Sequence, residues 1–272
     1  MTTPRISIQL YTVKDALAAD LDGTVARLAG LGLATVEAFD FVRRPEELVS
    51  VFAANGVTAP TAHANLLSDD VRFGDTVIVP PSLGEVFAAA QAIGIGTVFD
   101  PMTSPERWAT VEGVQDLARR MNAAAKAAAE FGIRVGYHNH AQEFTASFDG
   151  ISAYEYFVSL LDDGIVLELD TFWAATGGVD VEALIRRLGE RVVALHIKDG
   201  VPGVNPFLPD TTGFDPSQLV QRAAGRGELP VAAYLDAATA LEYAVIEFDY
   251  VPGDVFGPIA ETISHLKGLG LS

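Results

Sequence analysis

The chain has 272 residues, of which 49% are apolar, and it contains no cysteine. This length predicts one large domain or two small ones with a sizeable core. The missing cysteines exclude disulfides, zinc–thiolate sites and a cysteine nucleophile. The formal net charge of −18 argues against nucleic acid or an anionic membrane as a partner, because both attract basic patches.

The N-terminus and the apolar runs bear on the location of the protein. The opening residues, MTTPRISIQLYTVKD, lead directly into a strand-like pattern without the successive zones of a signal peptide. No apolar run approaches the roughly 20 residues that a membrane span needs. We therefore expect a cytoplasmic protein that does not bind a membrane.

Eight short apolar runs alternate with amphipathic segments along the chain. Runs rich in Val, Ile and Leu are typical of parallel strands that are buried on both faces. The predicted strands are residues 6–11, 35–41, 57–66, 96–101, 134–140, 166–173, 192–200 and 243–250. The predicted helices are residues 15–32, 45–56, 83–94, 105–132, 151–161, 179–190, 235–241 and 257–269.

This alternation predicts an α/β fold, a single (β/α)8 TIM barrel over residues 1–272, since such barrels typically take about 250 residues. The rival is a doubly wound open sheet, but no glycine-rich phosphate loop follows the first strand. Residues 200–227 contain four prolines and are too long for an ordinary connection. They predict a lid or an interface element, and hence a possible homo-oligomer.

Residues whose side chains can bind a metal ion or transfer a proton cluster where the predicted strands end. The carboxyl ends of barrel strands carry the active site in this fold. The candidates are Gln9, Glu37, His63, His138, His140, Glu143, Asp170, His196, Lys198 and Glu247. The remaining histidine, His265, falls in the last helix and is expected at the surface.

Four of these candidates predict a metal centre. Asp170 and His196 are 26 residues apart, about one β/α unit, so they should lie on adjacent strands. Glu143 and Glu247 would add two carboxylates, and three unpaired carboxylates in a dry pocket would be driven toward protonation. One bound divalent cation would remove that cost. We expect Mn²⁺ first, with Mg²⁺, Co²⁺ or Zn²⁺ as the alternatives. The alternative is structural: Asp170 caps the next turn, and Glu247 pairs with Lys198.

The motifs YHNHAQEF, ELDTFW, ALHIKDG and VIEFDY resemble those of the xylose isomerase-like TIM barrels, often labelled sugar phosphate isomerase/epimerase. The start, QLYTVKD, and the last strand are similar to that group too, so the resemblance spans nearly the whole chain. It implies one divalent metal ion held from four strand ends, by Glu143, Asp170, His196 and Glu247.

The fifth strand departs from the family pattern. Sugar epimerases of the family usually have a glutamate where this chain has His138, and Glu143 stands five residues further on. Either Glu143 curls back to the metal, as the NHxxEF branch suggests, or His138 is itself a ligand. We predict the first arrangement.

The resemblance implies proton abstraction next to the carbonyl of a keto sugar or cyclitol through a metal-bound enediolate. His140, or Glu247 from its ligand position, is the predicted base, because histidine titrates near neutral pH. Lys198 would stabilise the oxyanion or donate a proton. The alternative, purely structural role of Lys198 is an ion pair with Asp170 or Asp199. The predicted substrate contacts are Gln9, Tyr11, Glu37, His63, His138, Phe172 and Trp173.

Reprotonation of the enediolate would give an epimerase or isomerase. A leaving group β to the carbonyl would instead give a lyase or dehydratase, with an inosose or a 3-keto-glycoside as substrate. This choice of substrates is what the resemblance to the family implies. A metal-dependent endonuclease shares this type of barrel, but it needs more ligands and a basic face. A catalytically silent barrel that acts as a binding or partner subunit is the remaining alternative.

Overall fold

The computed structural model describes residues 3–69, 71–73, 76–203, 205–208 and 215–272. Eight parallel strands form one sheet that curls into a nearly closed barrel, which confirms the predicted TIM barrel. The barrel strands are β1 Arg5–Ile8, β2 Thr35–Ala38, β3 Thr58–His63, β4 Thr97–Asp100, β5 Arg134–His138, β6 Val166–Asp170, β7 Val192–Ile197 and β8 Tyr243–Ile246.

The strands follow one another around the barrel in chain order, and β8 pairs with β1. Between β1 and β2 the ladder is reduced to a single parallel bridge, Gln9 with Glu37. The hydroxyl of Thr35 adds a hydrogen bond to the carbonyl oxygen of Ile6 at 2.8 Å. These contacts join β1 to β2 where the barrel nearly closes, and all eight carboxyl ends lie at one mouth.

Ten α-helices surround the sheet among the described residues. They are α1 Lys14–Ala19, α2 Leu21–Gly30, α3 Pro45–Ala54, α4 Leu83–Ile93, α5 Val111–Ala129, α6 Ala153–Ser159, α7 Thr171–Thr176, α8 Val181–Leu188, α9 Val231–Ala237 and α10 Phe256–Gly268. Short 3-10 turns cover Leu10–Val13, Pro105–Trp108, Gln142–Phe144, Gly189–Arg191 and Pro216–Gln218.

Two predicted helices are interrupted by capping residues. The predicted helix 15–32 breaks at Asp20, whose backbone is extended and whose carboxylate accepts the N–H of Gly23 at 3.0 Å. The predicted helix 105–132 starts as a 3-10 turn, and α5 begins only after Thr110, whose hydroxyl accepts the N–H of Gly113. In both cases a cap inside the amphipathic pattern starts a second helix.

The predicted strand 166–173 is wrong at its end. β6 stops at Asp170, and the carboxylate of Asp170 accepts the N–H of Trp173 at 2.8 Å to start α7. The helix predicted at 235–241 lies earlier, at Val231–Ala237, directly after Pro230. The sequence pattern placed these elements correctly in order but not at their boundaries.

The barrel interior has an apolar lower half and a polar upper half. Phe99, Val166, Ala194 and Val245 form a buried apolar cluster inside the strands. Gly136 lies against this cluster, since a Cβ there would come within 2.6 Å of the Phe99 ring and 2.5 Å of the Val166 carbonyl oxygen. The polar side chains at the strand ends therefore rest on a packed floor.

The described part of residues 200–227 folds as an antiparallel hairpin, Asp199–Val201 with Val220–Arg222. Phe207 and Leu219 pack against a small buried cluster of Ala141, Phe172 and Trp173. Residues 204 and 209–214 lie outside the described residues, so the lid or interface role stays a prediction. Across the described residues, every helix is too short or too polar to cross a membrane.

Candidate active site

Strand alternation and register assemble the side chains at the mouth. Residues two apart on a strand face the same side, so Glu168 and Asp170 both point inward from β6. The register pairs Glu168 with His138 on β5 and Asp170 with His196 on β7. The residues that this brings together in the upper barrel are Glu37, His63, His138, Glu168, Asp170, His196, Lys198, Glu247 and Asp249.

Four of these residues form an upper group: His138, Asp170, His196 and Glu247. One ligand atom from each lies within 4.8 Å of the others. Oδ2 of Asp170 is 3.8 Å from Nε2 of His138 and 3.9 Å from Nδ1 of His196, which is too long for a hydrogen bond. That Oδ2 is buried and accepts no well-directed hydrogen bond from any described residue.

Lys198 is the counter-charge of the upper group. Its fully buried Nζ lies 2.9 Å from Oδ2 of Asp170, 2.7 Å from Oε2 of Glu247 and 2.9 Å from Oδ2 of Asp249. Burial alone would lower the pKa of Lys198, but the three carboxylates hold it well above its ordinary value. Both contacts of the structural alternative are therefore present, the cap by Asp170 and the Glu247–Lys198 pair.

Beneath the upper group lies a lower group of two carboxylates and three imidazole rings: Glu37, Glu168, His63, His138 and His196. Oε2 of Glu168 is 2.6 Å from Nε2 of His63 and 3.1 Å from Nδ1 of His138. Oε1 of Glu37 is 2.8 Å from Nε2 of His196. His138 and His196 thus belong to both groups, with one ring nitrogen directed to each.

The carboxylates shift the titration of two histidines upward. Burial lowers the pKa of His63, but Glu37 and Glu168 overcome that effect and raise it to about 10. In the same way Glu168 and Glu247 raise the pKa of His196 well above its ordinary value. The cationic rings and Lys198 in turn hold the pKa of Glu37 and of Glu247 well below the usual range, against the effect of burial.

Two other histidines stay neutral. Burial, reinforced by the neighbouring cationic His196, lowers the pKa of His138 well below its ordinary value. Burial and the charge of Lys198 lower the pKa of His140 to about 3. His140 packs against the rings of Trp173 and Phe207, which also contact each other, and its Nδ1 has no hydrogen-bond partner among the described residues.

Glu143 is not brought to the upper group. One oxygen accepts the hydroxyl of Tyr137 at 2.8 Å, and the other accepts the N–H of His140 at 2.9 Å. Burial outweighs these hydrogen bonds and raises the pKa of Glu143 to about 8. Of the two arrangements open for the fifth strand, the structure places His138, and not Glu143, beside Asp170 and His196.

The predicted substrate contacts lie at several different depths, and His138 belongs to both groups described above. Gln9 and Glu37 are fully buried and hydrogen-bonded to each other, below the imidazole rings and out of reach from the mouth. Phe172 and Trp173 are buried in the wall. Tyr11 is 41% exposed at the rim. His63, with a side chain 10% exposed, is the member of the lower group that lies over Glu37 and Glu168.

Three residues of this centre are absent from the sequence prediction: Glu168, Asp249 and Asn139. Glu168 and Asp249 each stand two residues from a predicted ligand, so strand parity was the signal that would have found them. Asn139 accepts the N–H of Asp170 at 2.9 Å and donates to its carbonyl oxygen at 3.3 Å. No pattern in the sequence marks that cross-strand contact.

The residues present fit a divalent cation. Burial raises the pKa of Asp170 to about 6 despite the charge of Lys198, so this carboxylate is incompletely compensated. Its spacing from the two ring nitrogens is about twice the metal–ligand distance of roughly 2.1 Å. Two carboxylates with two imidazoles suit Mn²⁺, Co²⁺ or Zn²⁺. The structure therefore provides a possible metal site at the mouth of the barrel.

Solved structures with the same fold include proteins of several activities. A sugar phosphate isomerase/epimerase from Parabacteroides distasonis superposes with a TM-score of 0.75 at 17% identity, covering 98% of this chain and 94% of the other. A probable 3-DHS dehydratase from Bacillus anthracis gives 0.70 at 10% identity, covering 97% and 98%. The IolI protein, solved with a zinc atom, gives 0.65 at 14% identity, covering 97% of both chains.

Among curated proteins, none matches the chain in sequence. At these identities the structural likeness shows the fold alone, which isomerases, epimerases and a dehydratase share. The family model described as xylose isomerase-like TIM barrel matches residues 25–267, which is most of the chain. The protein therefore belongs to the xylose isomerase-like TIM barrel family.

Proposed function

We propose that the protein is a divalent-metal-dependent isomerase or epimerase that acts on a keto sugar or a cyclitol by proton abstraction next to a carbonyl. The observation that carries the proposal is the upper group at the mouth, with a buried lysine on one side and a neutral histidine nearby. Acid, base and cation ligands converge at one opening, as enolisation requires.

His138, Asp170, His196 and Glu247 are the residues that would hold the cation, with Mn²⁺ as the first choice. Glu143, predicted as a ligand, is replaced in this set by His138 because its oxygens face Tyr137 and His140. When bound, the cation polarises the substrate carbonyl and stabilises negative charge on its oxygen.

His140 is the proposed proton acceptor. Its pKa of about 3 keeps the ring neutral throughout the working pH range, so the accepting form is always present. The same low pKa makes it a weak base, and the proton it takes must come from a carbon already acidified by the carbonyl. Trp173 and Phe207 contact the ring and provide an apolar surrounding for it.

Lys198 is the proposed proton donor and oxyanion partner. Its ammonium group remains charged because three carboxylates surround it. A fixed cation at the mouth can steady negative charge that develops on a substrate oxygen. Glu247, with a side chain 7% exposed, is held as an anion and serves as a ligand rather than as the base.

A lyase or dehydratase is the second candidate. The observation that favours it is Lys198, because the protonated amine beside the site is a source from which a proton can pass to a leaving group, leaving the amine neutral. The same enolisation step would precede elimination of a group β to the carbonyl. In either case we expect a small-molecule substrate. The cytoplasmic location and the homo-oligomer remain predictions.

The proposal is tested by solvent exchange. The purified protein, supplied with Mn²⁺, is incubated with keto sugars and inososes in D₂O, and deuterium incorporation next to the carbonyl is followed by NMR. We expect incorporation by the wild type and its loss in Asp170→Asn. His140→Phe should lose exchange but keep the ion. Exchange that persists in both variants would contradict the proposal.

A further inference from the structure

We propose that Glu168 and Glu37 are positioning residues that fix how His138 and His196 present their rings to the upper group. Each carboxylate accepts the inward ring N–H of one histidine, which leaves the other nitrogen directed at Asp170 and Glu247. The inference rests on the proposed metal-dependent function, and it assigns a role to the lower group.

The geometry of His138 carries the first step. Its Nδ1 is 3.1 Å from Oε2 of Glu168, and its Nε2 is 3.8 Å from Oδ2 of Asp170. An ionised carboxylate can only accept hydrogen bonds, so the ring proton belongs on Nδ1. Nε2 is then left with its lone pair toward the upper group, which is the form that binds a metal ion.

His196 has the same kind of inward contact, but its outward nitrogen is also hydrogen-bonded. Its Nε2 is 2.8 Å from Oε1 of Glu37, and its Nδ1 is 2.7 Å from Oε2 of Glu247. Gln9 holds Glu37 in place through a hydrogen bond from its Nε2 at 2.8 Å. The inward nitrogen of His196 is thus committed to Glu37, and the outward nitrogen faces Glu247 and Asp170, where a metal ion would have to displace the proton shared with Glu247.

The two carboxylates are buried too deeply for contact with substrate. Glu37 and Glu168 are both fully buried, and His63 lies over them with Nε2 at 3.1 Å from Glu37 and 2.6 Å from Glu168. A carboxylate behind a ligating histidine orients the ring and raises its basicity, and its loss typically weakens metal binding by 10–100-fold. That is the role which the depth and contacts of Glu37 and Glu168 support.

The lower group could instead hold an ion itself, since His63, His138, Glu168 and His196 also present ligand atoms within 4.8 Å of one another. The short contacts favour hydrogen bonds. The nitrogen–oxygen distances around Glu168 are 2.6, 3.1 and 3.1 Å, which fit ring N–H donors to one oxygen. The number of bound ions separates the two roles.

The test has two readouts. First, the ring protonation of His138 is read in the metal-free protein by long-range ¹H–¹⁵N correlation on ¹⁵N-histidine-labelled samples, with His138→Gln assigning the signals. We expect a proton on Nδ1 and none on Nε2. Second, Mn²⁺ affinity and stoichiometry are measured by calorimetry for the wild type, Glu168→Gln and Glu37→Gln.

The matched control is Asp100→Asn. Asp100 is equally buried and lies at the end of β4, but its carboxylate accepts hydrogen bonds from the backbone N–H groups of Leu66, Leu67 and Met102. We expect one ion per chain throughout, a 10–100-fold weaker Kd in each glutamine variant, and a Kd within about twofold of the wild type in the control. Thermal unfolding checks that all variants are folded.

Three results would overturn the proposal: a proton on Nε2 of His138, unchanged affinity in both glutamine variants, or two ions in the wild type with one lost in Glu168→Gln. If the wild type binds no ion, the proposed function fails by itself. The ring protonation then decides the positioning role alone, with Nδ1 supporting it and Nε2 overturning it.

Discussion

The two ends of the barrel place their charged side chains in different environments. At the mouth, carboxylates, imidazoles and Lys198 are buried and share partners at 2.6–3.1 Å. At the opposite end, Arg134 at the start of β5 forms a two-pronged ion pair with Glu242, both bonds 2.8 Å, with side chains 42% and 40% exposed. Burying the charged groups at the mouth costs free energy of desolvation, whereas the Arg134–Glu242 pair stays partly exposed to solvent.

The difference indicates where function lies. Burying ion pairs incurs a desolvation cost that their attraction often fails to recover, whereas exposed pairs contribute little in either direction. A protein selected only for stability would not need a cluster such as that at the mouth. In TIM barrels the catalytic residues belong to the carboxyl-terminal face and the other face serves stability. The buried and the exposed charged groups of this chain are divided between the two faces in the same way.

The largest expected effect comes from removal of Lys198. Lys198→Met leaves Asp170, Glu247 and Asp249 without their shared cation, and breaking such a buried set typically costs about 3–5 kcal/mol. Urea denaturation at neutral pH should show this loss, and Mn²⁺ should restore part of it. A variant as stable as the wild type, or one indifferent to Mn²⁺, would erase the contrast between the two ends.

The pH dependence of ion binding is the next test. The pKa of His196 is held well above its ordinary value, so its outward nitrogen carries a proton that a metal ion must displace. Affinity for Mn²⁺ should therefore rise by about tenfold per pH unit through the neutral range. Calorimetry in buffers of different ionisation enthalpy measures the proton released. Binding that is independent of pH would contradict the placement of the ion at His196.

Glu143→Gln separates the two arrangements of the fifth strand. Since Glu143 touches Tyr137 and the backbone of His140, we expect one bound ion with a Kd within about twofold of the wild type. Loss of the ion from a folded variant would restore Glu143 as the ligand that the sequence predicted.

The same variant should change the stability profile. The pKa of Glu143 is raised from 4.5 to about 8, so the folded protein holds this proton more tightly than the unfolded chain. The wild type therefore loses stability as pH rises from 4.5 through 8, and glutamine does not titrate. The stability of Glu143→Gln relative to the wild type should grow by up to about 1.4 kcal/mol per pH unit in that window, as urea titrations would show. A flat difference would contradict this.

The smallest expected effect is at the opposite end of the barrel. Arg134→Ala removes the pair with Glu242 and a hydrogen bond from Nε to the hydroxyl of Thr97 at 3.2 Å. Because the pair is partly exposed, we expect a loss below about 1 kcal/mol and no change in Mn²⁺ affinity. A loss comparable to that of Lys198→Met would mean that the two ends are not specialised as described.

Sequence periodicity predicted the barrel because buried parallel strands and amphipathic helices differ in length and pattern. It predicted where Asp170 and His196 meet, since adjacent strands end at the same height. It did not predict the break of the first helix at Asp20, and it offered the cap at Asp170 that starts α7 only as an alternative to metal binding. Those depend on which carboxylate oxygen reaches a backbone N–H, and spacing alone does not encode that.

The lower group shows the remaining gap. Glu168 looked like an ordinary member of the run VLELD, yet its parity with Asp170 turns it inward beneath His138. Glu143 is the opposite case, because it was singled out from the motif, yet the turn that carries it aims its oxygens at Tyr137 and His140. Side-chain direction in a turn depends on local contacts, whereas in a strand it follows from counting.

The most direct test of the metal centre is elemental analysis of three purified proteins after exposure to Mn²⁺ and dialysis. They are the wild type, the double variant Asp170→Ala, His196→Ala, and Arg134→Ala. We predict about one divalent ion per chain in the wild type and in Arg134→Ala, and none in the double variant. No ion in the wild type, or an ion retained by the folded double variant, would contradict a metal centre at the mouth of the barrel.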